Sequence, residues 1–177
     1  MPRFFHYTNL QNYERAALQD RALVPSDAQP TGAFPLKLVW LSNRVDCDPM
    51  GFLYAPAKPG QIEHRLMPFE DSCRSFPLVR VEVPGDGLID WRSLVRRTRA
   101  DREAVRRDIE YWRSQGANPV RDWWASTSSI LREKWLVVDM YLPSKEAWLP
   151  FTIPDDQLPA FAAEFFRQAK KTSAADN

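Results

Sequence analysis

The first side chains that could take part in chemistry are those of His6, Tyr7 and Thr8, which end an aromatic run. A neutral imidazole can donate or accept a hydrogen bond with a sugar hydroxyl, and a tyrosine ring offers an aromatic surface to a base. A second apolar run, 38–41, is followed by Ser42. Both runs have the composition of buried strands, so we expect two strand ends with hydroxyl groups to face one ligand.

Three carboxylates in the second half of the chain could complete such a site. Asp139 interrupts the apolar run 136–142, and an unpaired carboxylate in a buried strand is costly, so it needs a partner or a cavity. The alternative is that Asp139 takes an outward position of an alternating strand. Glu133 stands just before this run, and Glu146 follows it. We favour Asp139 as the functional acid, with Glu133 second and Glu146 as a further candidate.

Each of these positions also has a simpler structural interpretation. His6 is equally well explained as a hydrogen-bonded histidine of the core. Ser42 and Ser126 are strand-end hydroxyls, which commonly bond to the local backbone. Glu133 stands between two basic residues, as expected of a solvated side chain. The residues alone therefore leave both a site and a set of structural roles open.

The spacing of apolar residues predicts the elements that carry these side chains. Strands are predicted over 2–8, 37–42, 78–83, 122–126, 135–141 and 148–153. Helices are predicted after Asn9, from Thr98 to Ser114, and from Asp155 or Asp156 onward. We therefore predict a single α+β domain over 1–171, with a mobile tail over 172–177. Its sheet is expected to be mainly antiparallel, whole or split, and accompanied by two to four helices.

Composition and charge exclude several classes of protein. The 177 residues are 44% apolar, enough for a packed core, and the net charge of +1 gives no global attraction to nucleic acid or acidic membranes. We find no membrane-length apolar run and no secretory signal, so we expect a cytoplasmic protein without a membrane partner. The metal-ligating residue types include His6, His64, Cys47 and Cys73. Their spacing pairs none of them, so we expect no metal and free thiols. The Pro- and Gly-rich segment 43–77 predicts a ligand-covering loop.

A basic stretch is the one local feature that could attract a polyanion. It contains Arg96, Arg97, Arg99, Arg102, Arg106 and Arg107. The acidic residues interleaved with these arginines are Asp101, Glu103, Asp108 and Glu110. The interleaving favours a solvated helix with ion pairs between residues i and i+4 over a nucleic-acid-binding surface.

The order of the first motifs resembles ADP-ribosyltransferase-like folds of the histidine-first type. The resemblance rests on His6-Tyr7-Thr8, the helix after it, Val24-Pro25 and Val39-Trp40-Leu41-Ser42. In that family the first-strand histidine helps to hold the nicotinamide ribose of NAD, and a carboxylate from a later strand stabilises the oxocarbenium-like transition state. The resemblance therefore implies NAD as a substrate. The implied catalytic residues are His6, Asp139 and Glu133, and the implied NAD contacts are Tyr7, Thr8, Ser42 and Ser126.

Two further resemblances concern the second half of the chain. Gly116-Ala117-Asn118-Pro119, with Trp124, Ser126 and 135–139, is similar to a pattern of small bacterial proteins that bring no activity with them. Ser126-Thr127-Ser128 resembles the strand motif of the arginine-first transferases, for which Glu146 would be the acid. The histidine-first and arginine-first templates are mutually exclusive.

These features lead to three functional hypotheses. The first is an NAD-dependent ADP-ribosyltransferase-like protein, of toxin or effector type, that modifies a macromolecular acceptor, with protein favoured over nucleic acid. The second is a non-catalytic protein-interaction module that uses the arginine-rich helix. The third is an RNA 2'-phosphotransferase-like enzyme, which would need more basic residues around His6 than the sequence supplies. The first two differ in whether His6 and a carboxylate line one cleft and in whether the arginines are unpaired.

Overall fold

A computed structural model describes residues 2–26, 31, 33–46, 48 and 77–175. His64, both cysteines and most of the loop expected over 43–77 lie outside the described residues. The strands are β1 (Phe4–Asn9), β2 (Ala22–Leu23), β3 (Val39–Ser42), β4 (Leu78–Val83), β5 (Ile89–Asp90), β6 (Trp123–Ser126), β7 (Ile130–Leu131), β8 (Val137–Leu142) and β9 (Ala147–Pro150). The α-helices are α1 (Leu10–Glu14), α2 (Trp91–Thr98), α3 (Arg102–Ser114), α4 (Pro119–Asp122) and α5 (Leu158–Ala175).

Seven of these strands form one sheet in the order β5-β6-β3-β1-β4-β8-β9, and β2 pairs with β7 in a separate ribbon. Every strand pair described is antiparallel. The expected α+β class and mainly antiparallel sheet are confirmed. The sheet places β1, which carries His6, at its centre.

One side of the seven-stranded sheet, which we call the first face, carries an apolar core. Phe4 lies opposite Val83, and Val81 lies opposite His6, so all four side chains project to this side. The helices α1 and α5 cover it with apolar side chains that alternate at helical spacing. These are Leu10, Tyr13, Leu158 and Ala162.

The other side, the second face, carries an aromatic core beneath α2 and α3. Trp40 and Trp123 project from β3 and β6, and Trp91 and Trp112 reach them from the two helices. The ring centroids of Trp112 and Trp123 are 4.9 Å apart, and those of Trp40 and Trp91 are 5.9 Å apart. The tryptophans of the second half are therefore largely core residues. Helices on both faces of one sheet make three layers.

Side-chain caps explain where the first helices begin. Asn9 accepts a hydrogen bond from the backbone of Asn12 at 2.8 Å, which confirms it as the cap of α1. The helix expected from Thr98 to Ser114 begins instead at Arg102, where Asp101 caps it. Thr98 is the last residue of α2, a helix that the sequence did not predict, and Arg99 takes the left-handed conformation with φ 51° between the two.

The last elements differ from expectation by a few residues. β8 begins at Val137, and β9 ends at Pro150, because Trp135 and Ile153 lie beyond the ladder that joins the two strands. α5 begins at Leu158 and continues to Ala175. The first part of the expected mobile tail is thus helical backbone, and its last two residues lie outside the description.

Candidate functional site

His6 lies on β1, which runs between β3 and β4. β1 pairs with β4 along its whole length, whereas its register with β3 is the single pair Phe5 and Ser42. Beyond that pair the imidazole of His6 bridges the two strands, with Nδ1 2.9 Å from the carbonyl oxygen of Trp40. The histidine thus joins β1 to β3 where the backbone ladder stops.

The contact with Trp40 and the burial of the ring together determine which nitrogen of His6 carries the proton. A carbonyl oxygen only accepts hydrogen bonds, so Nδ1 carries the proton and donates it. Burial lowers the pKa of His6, and this effect exceeds the opposing effect of the hydrogen bond, so the ring is neutral at pH 7. Nε2 is then an acceptor, and among the described residues none donates to it. The half-buried ring can therefore accept a hydrogen bond from a ligand.

The strand register separates His6 from the favoured acid. Tyr7, Arg80 and Asp139 lie in one row across β1, β4 and β8, whereas His6 lies in the neighbouring row. Adjacent residues of a strand project to opposite faces. Asp139 and Tyr7 therefore lie on the second face and His6 on the first. The structure does not bring His6 and Asp139 into one cleft, so the two-residue site expected from the sequence is not formed.

Asp139 is held by an arginine. Oδ2 of Asp139 lies 2.9 Å from Nε and 2.8 Å from Nη2 of Arg80, and both side chains are less than 10% exposed. The Arg80 guanidinium lies 4.7 Å from the ring centroids of both Phe5 and Trp148 and donates to the carbonyl of Val45. The partner that a buried carboxylate requires is thus Arg80, and its interactions are structural.

The charged residues of β4 are a feature that the sequence interpretation missed. Arg80 and Glu82 alternate with valines, a pattern that predicts outward charges, yet both are buried. Glu82 pairs with Arg3, whose guanidinium keeps the pKa of this carboxyl below its usual range. The signal that could have revealed them is the excess of aromatic residues on neighbouring strands, because arginine stacks on aromatic rings.

Tyr7 and Ser42 also have structural partners. The Tyr7 hydroxyl donates to the carbonyl of Arg44 at 2.5 Å. Ser42 is fully buried and donates to Asp48 at 2.6 Å, and Asp48 also accepts from the indole of Trp123. These bonds hold Arg44 and Asp48 against the second face. Ser42 and Tyr7 therefore share a face with Asp139 rather than with His6.

The remaining predicted residues are scattered. Thr8 is buried and lies two residues after His6 on β1, so both side chains project to the first face. Ser126 closes a local turn, with its hydroxyl donating to Ser128 at 2.7 Å and accepting from the Ser128 amide. Glu133 is exposed on a short 3₁₀ turn, and Glu146 is exposed between β8 and β9. None of these contacts assembles a carboxylate with His6.

A different set of side chains does come together. We call it the arginine surface: the exposed arginines of α2, of α3 and of the turn between them. They are Arg92, Arg96, Arg97, Arg99, Arg102, Arg106, Arg107 and Arg113. Within the described residues, one of these eight arginines forms an ion pair: Arg106 lies 2.8 Å from Glu103. The expectation of a helix laced with i to i+4 pairs is wrong.

The interleaved acids, and Asp90 just before them, have other roles. Asp90 and Asp101 cap α2 and α3 by accepting from backbone amides at 3.0 and 2.8 Å. Asp108 accepts from the hydroxyl of Thr31, and burial raises the pKa of this carboxyl. Glu103 is paired, and Glu110 is exposed. The spacing of charges along the sequence could not reveal these roles. It shows which charged residues are neighbours in the chain but not which backbone groups their side chains bind.

The described residues contain no group of three or more histidine, cysteine, aspartate or glutamate side chains placed to hold a metal ion. No helix in the described part of the chain has both the length and the apolar character to cross a membrane. Comparisons with protein-family models, with curated proteins and with solved structures give no match for this chain. The geometry of its own residues is therefore the basis for a functional proposal.

Proposed function

We propose that the chain is a macromolecule-binding module that engages an acidic partner through the arginine surface. The observation that carries the proposal is the set of exposed arginines without an ion pair among the described residues. They are Arg92, Arg97, Arg99, Arg102, Arg107 and Arg113. Exposed, unpaired guanidinium groups on two successive helices and the turn between them create a positive potential that an acidic partner can neutralise.

The distribution of charge along the chain supports this proposal. Residues 91–121 contain nine arginines and four carboxylates, a net charge of +5, in a chain whose net charge is +1. The remainder therefore carries a net charge of −4. A protein with one basic region and an acidic remainder attracts an acidic partner to that region and repels it elsewhere.

The proposal is tested by retention on immobilised heparin, a polyanion. A triple variant, Arg92→Gln, Arg102→Gln and Arg113→Gln, removes three unpaired charges and keeps good helix formers. The matched control, Lys134→Gln, Lys145→Gln and Arg167→Gln, removes three exposed charges elsewhere. We expect the triple variant to elute at lower salt than the control, with both showing the wild-type circular dichroism spectrum. Equal elution of the two variants would contradict the proposal.

ADP-ribosyl transfer from NAD remains a second candidate because one observation favours it. His6 is neutral, and no described residue donates to its Nε2, which suits a hydrogen bond from a ribose hydroxyl. The carboxylate of such a site is then a residue other than Asp139, because Asp139 lies on the other face and is paired with Arg80. The candidate therefore rests on His6 and on the resemblance of the first motifs.

Calorimetric titration of NAD into the wild-type chain tests this candidate. We expect His6→Ala to abolish binding, and we expect binding to stay constant as the pH falls from 8 to 6.5. The reason is that burial lowers the pKa of His6 from the ordinary histidine value, so the imidazole stays mainly neutral over this range. Wild-type protein that neither binds nor consumes NAD would remove the candidate.

A further inference from the structure

The arginine surface has a chemical character that narrows the class of partner. All nine cations in residues 91–121 are arginines, and none is lysine. The guanidinium group presents a planar fork of donors that can bind a phosphate through two parallel hydrogen bonds. We propose that the acidic partner is a nucleic acid, bound through its phosphodiester backbone. This inference rests on the proposed function and names its partner.

The arrangement of arginines on α3 matches an extended polyanion. Arg102, Arg106 and Arg113 are spaced i, i+4 and i+11, which places them within about 40° of one another around a helix of 3.6 residues per turn. With a rise of 1.5 Å per residue, they span about 16 Å along the axis. The same length of one nucleic-acid strand carries about five phosphates, at 3.4 Å per step. A line of cations of this length can contact several consecutive phosphates.

The basic residues continue from α3 onto α2. Arg99 lies in the turn that joins the two helices, and Arg92 and Arg96 are one helical turn apart on the exposed side of α2. Both helices pack inward through tryptophans on the same aromatic core, which leaves their arginines on the outer side. The basic surface therefore extends beyond a single helix.

The small number of large apolar side chains on the arginine surface favours a nucleic acid over an acidic protein as the partner. Stable protein interfaces have an apolar or aromatic centre with a polar rim, whereas nucleic-acid interfaces are more polar and much more positively charged. Seven large apolar residues are exposed among those described, and Tyr111 is the one that lies on α2 or α3. The other six lie elsewhere, so the arginine surface lacks the centre that a protein partner would fill.

The acidic residues of this region reduce its positive charge but do not cancel it. A carboxylate that binds an amide or a hydroxyl keeps its charge, and residues 91–121 still carry a net charge of +5. Asp90 and Asp101 are engaged by helix amides, Glu103 by Arg106, and Asp108 by Thr31. Glu110 is the exposed acid left in this region without such a contact among the described residues.

The test is fluorescence anisotropy with a labelled 20-base-pair DNA duplex of mixed sequence, between 50 and 200 mM NaCl. If the duplex neutralises Z arginines, log K falls against log[salt] with a slope of about −0.9Z. Removing three contacts in the triple variant should make the slope less negative by about 2 to 3 and weaken binding at least about tenfold at low salt. The lysine and arginine control should keep the wild-type slope. Parallel titrations use a single-stranded RNA and polyglutamate of matched charge.

The outcomes separate this inference from the proposed function. Binding of the duplex or of the RNA that is lost in the triple variant and kept in the control supports the inference. Polyglutamate bound as tightly as nucleic acid would overturn it and leave the acidic-partner function standing. Equal behaviour of the triple variant and the control toward all three polyanions would overturn both.

Discussion

At the scale of single residues, the ion pair between Arg80 and Asp139 has the largest consequence. A carboxylate in a strand of apolar residues can signal catalysis or an internal partner, and here the partner is an arginine on the adjacent strand. The pair is almost fully buried, so neither group is solvated if the other is lost. Asp139 therefore matters for stability even though it is not near His6.

We predict that Asp139→Ala lowers the free energy of unfolding by about 3 to 5 kcal/mol, because it leaves the buried Arg80 guanidinium without its counterion. The double variant Arg80→Met, Asp139→Leu should recover most of this loss, since it leaves no buried charge. Urea unfolding followed by tryptophan fluorescence measures both. Glu133→Ala is the control and should change stability by less than about 0.5 kcal/mol because its side chain is exposed. A loss below about 1 kcal/mol for Asp139→Ala would show that the pair is not important for folding.

The directions of single side chains explain why the candidate site could be predicted only in part. The sequence correctly indicates that Asp139 needs a partner, and a hydrogen-bonded histidine is one of the two interpretations it offers for His6. It could not show that their rows differ by one residue, because a shift of one residue in register moves a side chain to the other face. The pairings of Arg80 with Asp139 and of Glu82 with Arg3 depend on strands distant in sequence.

At the scale of elements, the helix caps and the turn between α2 and α3 decide where the arginines are exposed. The helix predicted from Thr98 to Ser114 is found from Arg102 to Ser114, capped by Asp101 rather than by Thr98. The preceding helix α2 was not predicted, and it ends at Thr98 before the left-handed Arg99. Strands with strong alternation, such as β4, were located accurately, whereas two-residue strands such as β5 and β7 carry too little pattern to be recognised.

We predict that Asp101→Ala lowers the free energy of unfolding by about 1 kcal/mol, because α3 loses the side chain that accepts from the Ala104 amide. Asp101→Asn should retain most of the stability, since asparagine is an equally good cap. Both substitutions remove a negative charge beside the arginine surface, so both should elute from heparin at a salt concentration no lower than wild type. Thermal unfolding and heparin retention measured on the same samples check the two effects. An alanine variant as stable as wild type would show that the cap is unimportant.

At the scale of the whole molecule, one sheet separates two environments. The first face packs an apolar core against α1 and α5, with His6 bridging β1 and β3. The second face packs tryptophans beneath α2 and α3, and its Tyr7, Arg80 and Ser42 bind Arg44, Val45 and Asp48. The arginine surface lies outside the second layer of helices. The fold thus presents a positive surface on elements whose buried sides are rigidly packed.

The α+β class and the antiparallel sheet follow from alternation and turn residues, which are local signals. The unequal distribution of charge could also be counted from the sequence, but its meaning could not. What the count cannot show is which acids pair with the arginines: in the fold Asp90 and Asp101 bind helix amides and Asp108 binds a threonine hydroxyl, so most of the arginines keep no acidic partner among the described residues.

The central claim is that binding is located on the outer side of α2 and α3. The most direct measurement is the salt concentration at which heparin releases three proteins in one experiment: the wild type, the triple arginine variant and the triple control. The account predicts that the control elutes near the wild type and that the arginine variant elutes at clearly lower salt. Coelution of the two variants, each folded, would contradict it.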